Sequence, residues 1–160
     1  MAGVATARYN SPCGCLIIKV RMGKIYLCDW EGRGIRPTNE IARSDGDDVI
    51  REAISQLNEY FEGERKEFNL PLMPDGTPFQ KQVWQSLLEI PYGATRTYSE
   101  IATGVGRPDA VRATATAIGA NPLSILIPCH RVIGKNGTLT GYAGGLDAKR
   151  FLLNHEGHDY

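Results

Sequence analysis

The chain has 160 residues, 42% hydrophobic and 22% charged, enough apolar content for one generous domain or two small ones. Lys plus Arg balances Asp plus Glu at 18 each, so net charge supplies none of the basic excess that marks many nucleic-acid binders. No apolar run could span a bilayer and no secretory leader pattern opens the chain, so a cytoplasmic protein without disulfides is expected. Divided near Gly76, the first part carries 10 basic and 12 acidic residues and the remainder 8 and 6, a shift too small to assign a partner.

In chain order, Cys15–Val20 reads as a β-branched strand, Met22-Gly23 as a turn and Lys24–Cys28 as a second strand. A loop rich in Gly, Pro and Asn follows over 31–39. Ile50, Ala53, Ile54, Leu57, Tyr60 and Phe61 then recur at helical spacing, with Asp47 or Asp48 as N-cap and Gly63 past the end. Cys13, Cys15 and Cys28 lack the paired spacing of a zinc site, and we read them as small buried hydrophobes with no metal. Pro71, Pro74, Asp75 and Gly76 form a linker, which divides the chain into domains over 1–73 and 74–160.

Beyond the linker, Thr77-Pro78-Phe79-Gln80 is a capping box with proline at the first helical position. The helix it opens turns Phe79, Val83, Trp84, Leu87 and Leu88 inward and stops at Pro91-Tyr92-Gly93. A second box, Thr97 to Glu100, opens a short helix ending at Gly104-Val105-Gly106. A third helix, capped by Asp109, runs to about Ala120, where Asn121-Pro122 breaks it. On spacing alone the last two fit both a helix-turn-helix and a pair of core helices. The small side chains of the third, Ala110, Ala113, Thr114, Thr116, Ala117 and Ala120, favour a helix that lies close against another surface, with Arg112 its sole long cation.

Ser124–Ile127 reads as a buried strand or extended segment delivering Pro128-Cys129-His130-Arg131-Val132. A cysteine beside histidine and arginine sits in a field that favours thiolate, the nucleophilic form. Adjacent side chains on a strand point to opposite faces, so Cys129 and His130 need a bend or a bridging water to share a proton. Glu156 is the candidate to orient His130, although spacing alone also allows structural roles for all three.

Ile127-Pro128-Cys129-His130-Arg131-Val132-Ile133 resembles the active-site signature of the O6-alkylguanine-DNA alkyltransferases. The resemblance continues through Phe79-Gln80, Trp84, Ile90–Gly93, Thr97-Tyr98, Arg112-Ala113 and Asn121-Pro122. It resumes at Gly141–Leu146, Lys149 and His155-Glu156-Gly157. It covers most of 77–157, and only loosely the region before it, at Ser11-Pro12 and Gly14. It implies an α+β protein, with a small ribonuclease H-like N-terminal α/β domain before a helical winged-helix or helix-turn-helix domain.

The implied activity is stoichiometric, irreversible transfer of an alkyl group from O6-alkylguanine, and from O4-methylthymine, in double-stranded DNA. The implied acceptor is Cys129, activated through a water by His130 and backed by Glu156, with Asn121 fixing the bend. Tyr98 would help rotate the nucleotide and protonate the departing guanine, while Arg112 would enter by the minor groove and fill the gap. Thr97, Ala113 and Arg131 join these as DNA-contacting residues. Val132, Tyr142, Ala143 and Lys149 would line or support the pocket, with backbone carbonyls at Cys129 and Val132 receiving the guanine amino group.

No cofactor, membrane or metal is implied, and a monomer is expected. The zinc ligands of some animal relatives have no match, and Ala143 stands where many relatives carry serine. No further N-terminal module is expected. The competing readings are a Cys-His-Glu hydrolase of esters or amides, an alkylguanine-binding module without repair, and a transcription factor. The second lacks the acceptor cysteine, and the third leaves the Cys-His segment without a purpose.

Overall fold

The computed structural model describes residues 4–32 and 47–160. They fall into two compact units, Met1–Pro74 and Asp75–Tyr160. Most of the loop read over 31–39 lies outside the described residues; Glu31 and Gly32 form a turn.

In the first unit three antiparallel strands form a meander, β1 (Val4–Ser11), β2 (Gly14–Arg21) and β3 (Lys24–Trp30). β1 is an addition to the sequence reading. Its buried positions are Thr6, Ala7 and Tyr9, too mixed to register as a hydrophobic strand. Met22 and Gly23, both with positive φ, make the tight turn between β2 and β3. Helix α1 (Asp48–Phe61) packs on the sheet through Ile50, Ala53, Leu57 and Tyr60, and the Asp47 carboxylate caps it by accepting from the Ile50 amide at 2.9 Å. Pro71 and Met73 exchange backbone hydrogen bonds with Ile25, so that part of the expected linker is bound to the sheet edge. Cys28 is fully buried, whereas Cys13 and Cys15 are half-buried near the β1–β2 turn, less enclosed than expected.

The second unit is built on α2 (Pro78–Leu87), α3 (Tyr98–Gly104), α4 (Val111–Gly119) and α5 (Leu146–His155). Both capping boxes form, at Thr77/Gln80 and Thr97/Glu100. Asp109 does not cap α4: Ala110 occupies that place and no side chain caps the helix. Leu88, expected inward, sits at the C-cap of α2 and is exposed. Trp84 of α2 is the anchor of this unit, its indole N–H donating to the Ala117 carbonyl of α4 at 2.8 Å. A parallel two-stranded ladder, β4 (Arg96–Thr97) on β5 (Val132–Ile133), ties the start of α3 to the segment after Cys129.

Ser124–Ile127 is buried but is not extended. The Ile127 amide returns to the Leu123 carbonyl at 2.8 Å, and Ile125 takes φ of 70°. A β-branched residue in the left-handed region costs of order 1–3 kcal/mol and persists only where its surroundings impose it. Apolar content gave the burial, but periodicity carries no information about so tight a turn.

Gly76 shows how closely the second unit is filled. A Cβ there would lie 2.5 Å from the Trp84 ring and 2.8 Å from Gln80 Oε1. Because Trp84 is buried and bonded, Gly76→Ala should destabilise the fold by about 1–3 kcal/mol, read as a lower urea midpoint.

Candidate active site

The site is assembled by the turn that carries Cys129. Asn121, 2% exposed, accepts from the Leu123 amide at 2.9 Å and donates to the Ile127 carbonyl at 2.9 Å. One side-chain amide thus closes both ends of the strained 123–127 turn and sets the exit direction of the chain. Cys129, His130 and Arg131 then form a single 3₁₀ turn, sealed by the Val132 amide donating to the Cys129 carbonyl. The bend that adjacent Cys and His require is therefore this turn, where a straight strand would have separated them.

All three side chains are enclosed: Cys129 is 6% exposed, His130 0% and Arg131 6%. Glu156, the C-cap residue of α5, reaches them from the other end of the unit. Its Oε2 lies 2.8 Å from His130 Nε2, and Arg131 donates from Nε to Oε1 at 2.7 Å and from Nη2 to Oε2 at 3.0 Å. Arg131 Nη1 donates to the Ile90 carbonyl at 2.7 Å, and its guanidinium lies 5.8 Å from the centre of the Tyr92 ring. The Tyr92 hydroxyl in turn donates to the His155 carbonyl at 3.1 Å. The Ile90–Gly93 segment thus braces an arginine.

The resemblance puts Arg131 among the DNA-contacting residues; here its forked donors are spent on Glu156 and Ile90 inside the unit. A guanidinium is preferred for such a task because its donors match a carboxylate in two places.

Electrostatics follow from this pairing. Burial raises the Glu156 carboxyl, but hydrogen bonds from His130 and Arg131, with the Arg131 charge, outweigh it and hold the group well below the ordinary carboxylate range. Burial lowers His130, and Glu156 only partly offsets it. A neutral His130 facing an ionised carboxylate must donate from Nε2, which leaves Nδ1 with a lone pair. Nδ1 is buried and has no hydrogen-bond partner within the described residues.

Lys149, on α5 and fully buried, donates from Nζ to the Thr140 carbonyl at 2.7 Å. Burial brings it down to about 8, opposed by the charge of Cys129. Tyr98, the first residue of α3, presents its ring 5.9 Å from Lys149 Nζ, and its hydroxyl accepts from Thr140 Oγ1 at 3.1 Å. Val132 is buried in β5, and Tyr142 and Ala143 are half-buried in the loop before α5.

Arg112 and Ala113 are exposed in the first turn of α4, and Thr97 is half-buried at the cap of α3. They form no part of the Cys129 cluster. Thr140 is the residue that sequence reasoning missed; a threonine in a glycine-flanked loop gives no signal of its own. Among the described residues no group of three potential ligands could hold a metal, and no helix is long and apolar enough to cross a membrane.

Residues 78–158 match the family model for the DNA-binding domain of 6-O-methylguanine DNA methyltransferase, and residues 4–74 match its ribonuclease-like domain. The chain belongs to this family. Its methyltransferase relatives include a methylated-DNA–protein-cysteine methyltransferase of Methanosarcina acetivorans, 58% identical over 113 residues, 71% of this chain and 72% of the relative. The constitutive enzyme of that name from Bacillus subtilis is 47% identical over 155 residues, 94% of each chain. Among solved structures, the Mycobacterium tuberculosis methyltransferase in complex with DNA superposes with a TM-score of 0.84 at 41% identity, covering 95% of this chain and 92% of that one. The methyltransferase fold is α+β, a ribonuclease-like sheet unit followed by a helical DNA-binding unit.

The buried cluster makes stability pH-dependent with a definite sign. His130 and Glu156 both titrate lower folded than unfolded, from reference values of 6.5 and 4.5, so acid loads the unfolded chain with protons first. The contribution of these two groups is therefore complete above pH 6.5 and is lost as pH drops through each folded value, read as a declining thermal midpoint. Glu156→Gln strands the Arg131 charge and should lower stability by about 3–5 kcal/mol while flattening the acid limb.

Proposed function

We propose that the chain repairs double-stranded DNA by moving an alkyl group from guanine O6, or from thymine O4, onto Cys129. The observation that carries this reading is the Glu156-held His130, whose Nδ1 lone pair is sealed inside the unit one residue from a buried cysteine. Family membership supplies the reaction class, methyl transfer from DNA to a protein cysteine.

In this mechanism the Cys129 proton passes through a water to His130 Nδ1, and Glu156 stabilises the imidazolium that forms. The thiolate attacks the saturated alkyl carbon; the S–C bond forms, the C–O6 bond breaks, and its electron pair goes to guanine. Tyr98 donates the proton that returns guanine to its neutral form and regains one through solvent from His130. The product is a thioether, which water does not reopen as it would a thioester, so each molecule acts once.

The target atom lies inside the duplex, so the nucleotide must be turned out, at a cost of a few kcal/mol that damage reduces. Arg112, exposed at the start of α4, is suited to fill the vacated stack from the minor groove, and Ala113 and Thr97 to approach the backbone closely. Asn121 holds the turn that aims Cys129. Val132, Tyr142 and Ala143 line the alkyl pocket, with Lys149 beside them. The protein acts as a monomer, in the cytoplasm, without a cofactor.

A duplex containing O6-methylguanine should add a single methyl group to the intact mass of the protein, at one equivalent and no more. Cys129→Ala should gain none. Sustained turnover of an ester or amide by the same cysteine would favour hydrolysis and refute the repair reading.

A further inference from the structure

Thr140 is exposed and has no role in the mechanism above, yet three neighbours bear on where it sits. Its carbonyl accepts from the buried Lys149 Nζ at 2.7 Å. Its methyl group lies 3.1 Å from where a Cβ on Gly134 would stand, and the Thr138 carbonyl lies 3.0 Å from the same point. Gly134 also donates its amide to that Thr138 carbonyl at 2.7 Å, closing the loop beneath Thr140. With carbonyl and methyl so placed, and χ1 stiff in a β-branched residue, few directions are left to the hydroxyl. It points to Tyr98, donating to the phenolic oxygen at 3.1 Å.

A phenol has one proton to give and lone pairs to receive. Because Thr140 donates, the Tyr98 proton is not consumed on Thr140 and stays available to another acceptor. The same hydrogen bond stabilises the negative charge that grows on the phenolic oxygen as its proton leaves, and the Lys149 ammonium beside the ring acts in the same sense.

We propose that Thr140 is a positioning residue that aims the Tyr98 phenolic proton at the guanine released during alkyl transfer. This rests on the alkyl-transfer reading. As the C–O6 bond breaks and its electron pair moves onto guanine, the Tyr98 O–H bond delivers the proton, and Tyr98 is reprotonated from solvent. Thr140 itself exchanges no proton with the substrate.

The test is single-turnover methyl transfer from an O6-methylguanine duplex, with Cys129 methylation by methyl iodide alongside it. Iodide leaves without a proton, so that second reaction reports the thiol and not Tyr98. Thr140→Val keeps shape and carbonyl but loses the donor. It should slow transfer at saturating duplex by about five- to tenfold, the worth of one neutral hydrogen bond. Half-saturating duplex and the methyl iodide rate should stay unchanged, and Thr140→Ser should restore transfer.

In a Tyr98→Phe background, Thr140→Val should add nothing, because the two act as one unit. Gly134→Ala, which displaces Thr140 without altering it, should slow transfer in the Tyr98 protein and not in the Tyr98→Phe protein. Thr140→Val at the wild-type rate, equal slowing in the Phe background, or a parallel loss of methyl iodide reactivity would each overturn the proposal. Failure of the unmodified protein to take up methyl from DNA would instead refute the alkyl-transfer reading beneath it.

Discussion

Everything in the second unit is arranged around one carboxylate. Glu156 receives two hydrogen bonds from Arg131 and one from His130, in an interior where all three side chains are almost fully enclosed. Burying an unpaired carboxylate or guanidinium costs several kcal/mol, so neither would be tolerated alone. Together they cancel charge, and the surplus of acceptor capacity on Glu156 is what remains for His130. A buried pair of this kind is weak as a source of stability and strong as a source of geometry. Here it fixes which imidazole nitrogen carries the proton.

The remaining elements bring that carboxylate and the cysteine to the same place. α5 carries Glu156 at its C-cap and Lys149 two turns earlier, so one helix supplies both the orienting anion and the buried cation. Asn121 closes the turn before Cys129, and the β4–β5 ladder holds the chain after it while placing Tyr98 at the head of α3. Trp84 locks α2 to α4, which leaves Arg112 and Ala113 on the outer face of α4. Rigid helix ends and short turns, in place of mobile loops, position the reacting groups, as chemistry sensitive to sub-ångström placement requires.

Local chemistry was the legible part. Two capping boxes, the Asp47 cap and the Trp84 helix follow from residue types a few positions apart, and the structure forms them as read. The Cys129-His130 pair was conspicuous because few residues activate a thiol. Glu156 is a candidate third member by residue type, but only the family resemblance selects it, since 26 residues separate it from His130. The pairing of Arg131 was not legible because its carboxylate lies 25 residues away. The 123–127 turn escaped because apolar side chains announce burial and say nothing about φ, and Ile125 adopts a value its side chain disfavours. Thr140 escaped because its significance lies in side-chain geometry that spacing does not carry, above all its contact with Tyr98, 42 residues away.

The central claim is that burial keeps His130 neutral while Glu156 holds its proton on Nε2, with Nδ1 left to take a proton. Nitrogen-15 NMR of labelled imidazoles in the unalkylated protein reads this directly. The account predicts a protonated Nε2 and a bare Nδ1 at neutral pH, with His130 staying uncharged well below the pH at which an exposed histidine titrates. An imidazolium at neutral pH, or a neutral ring protonated on Nδ1, would contradict it.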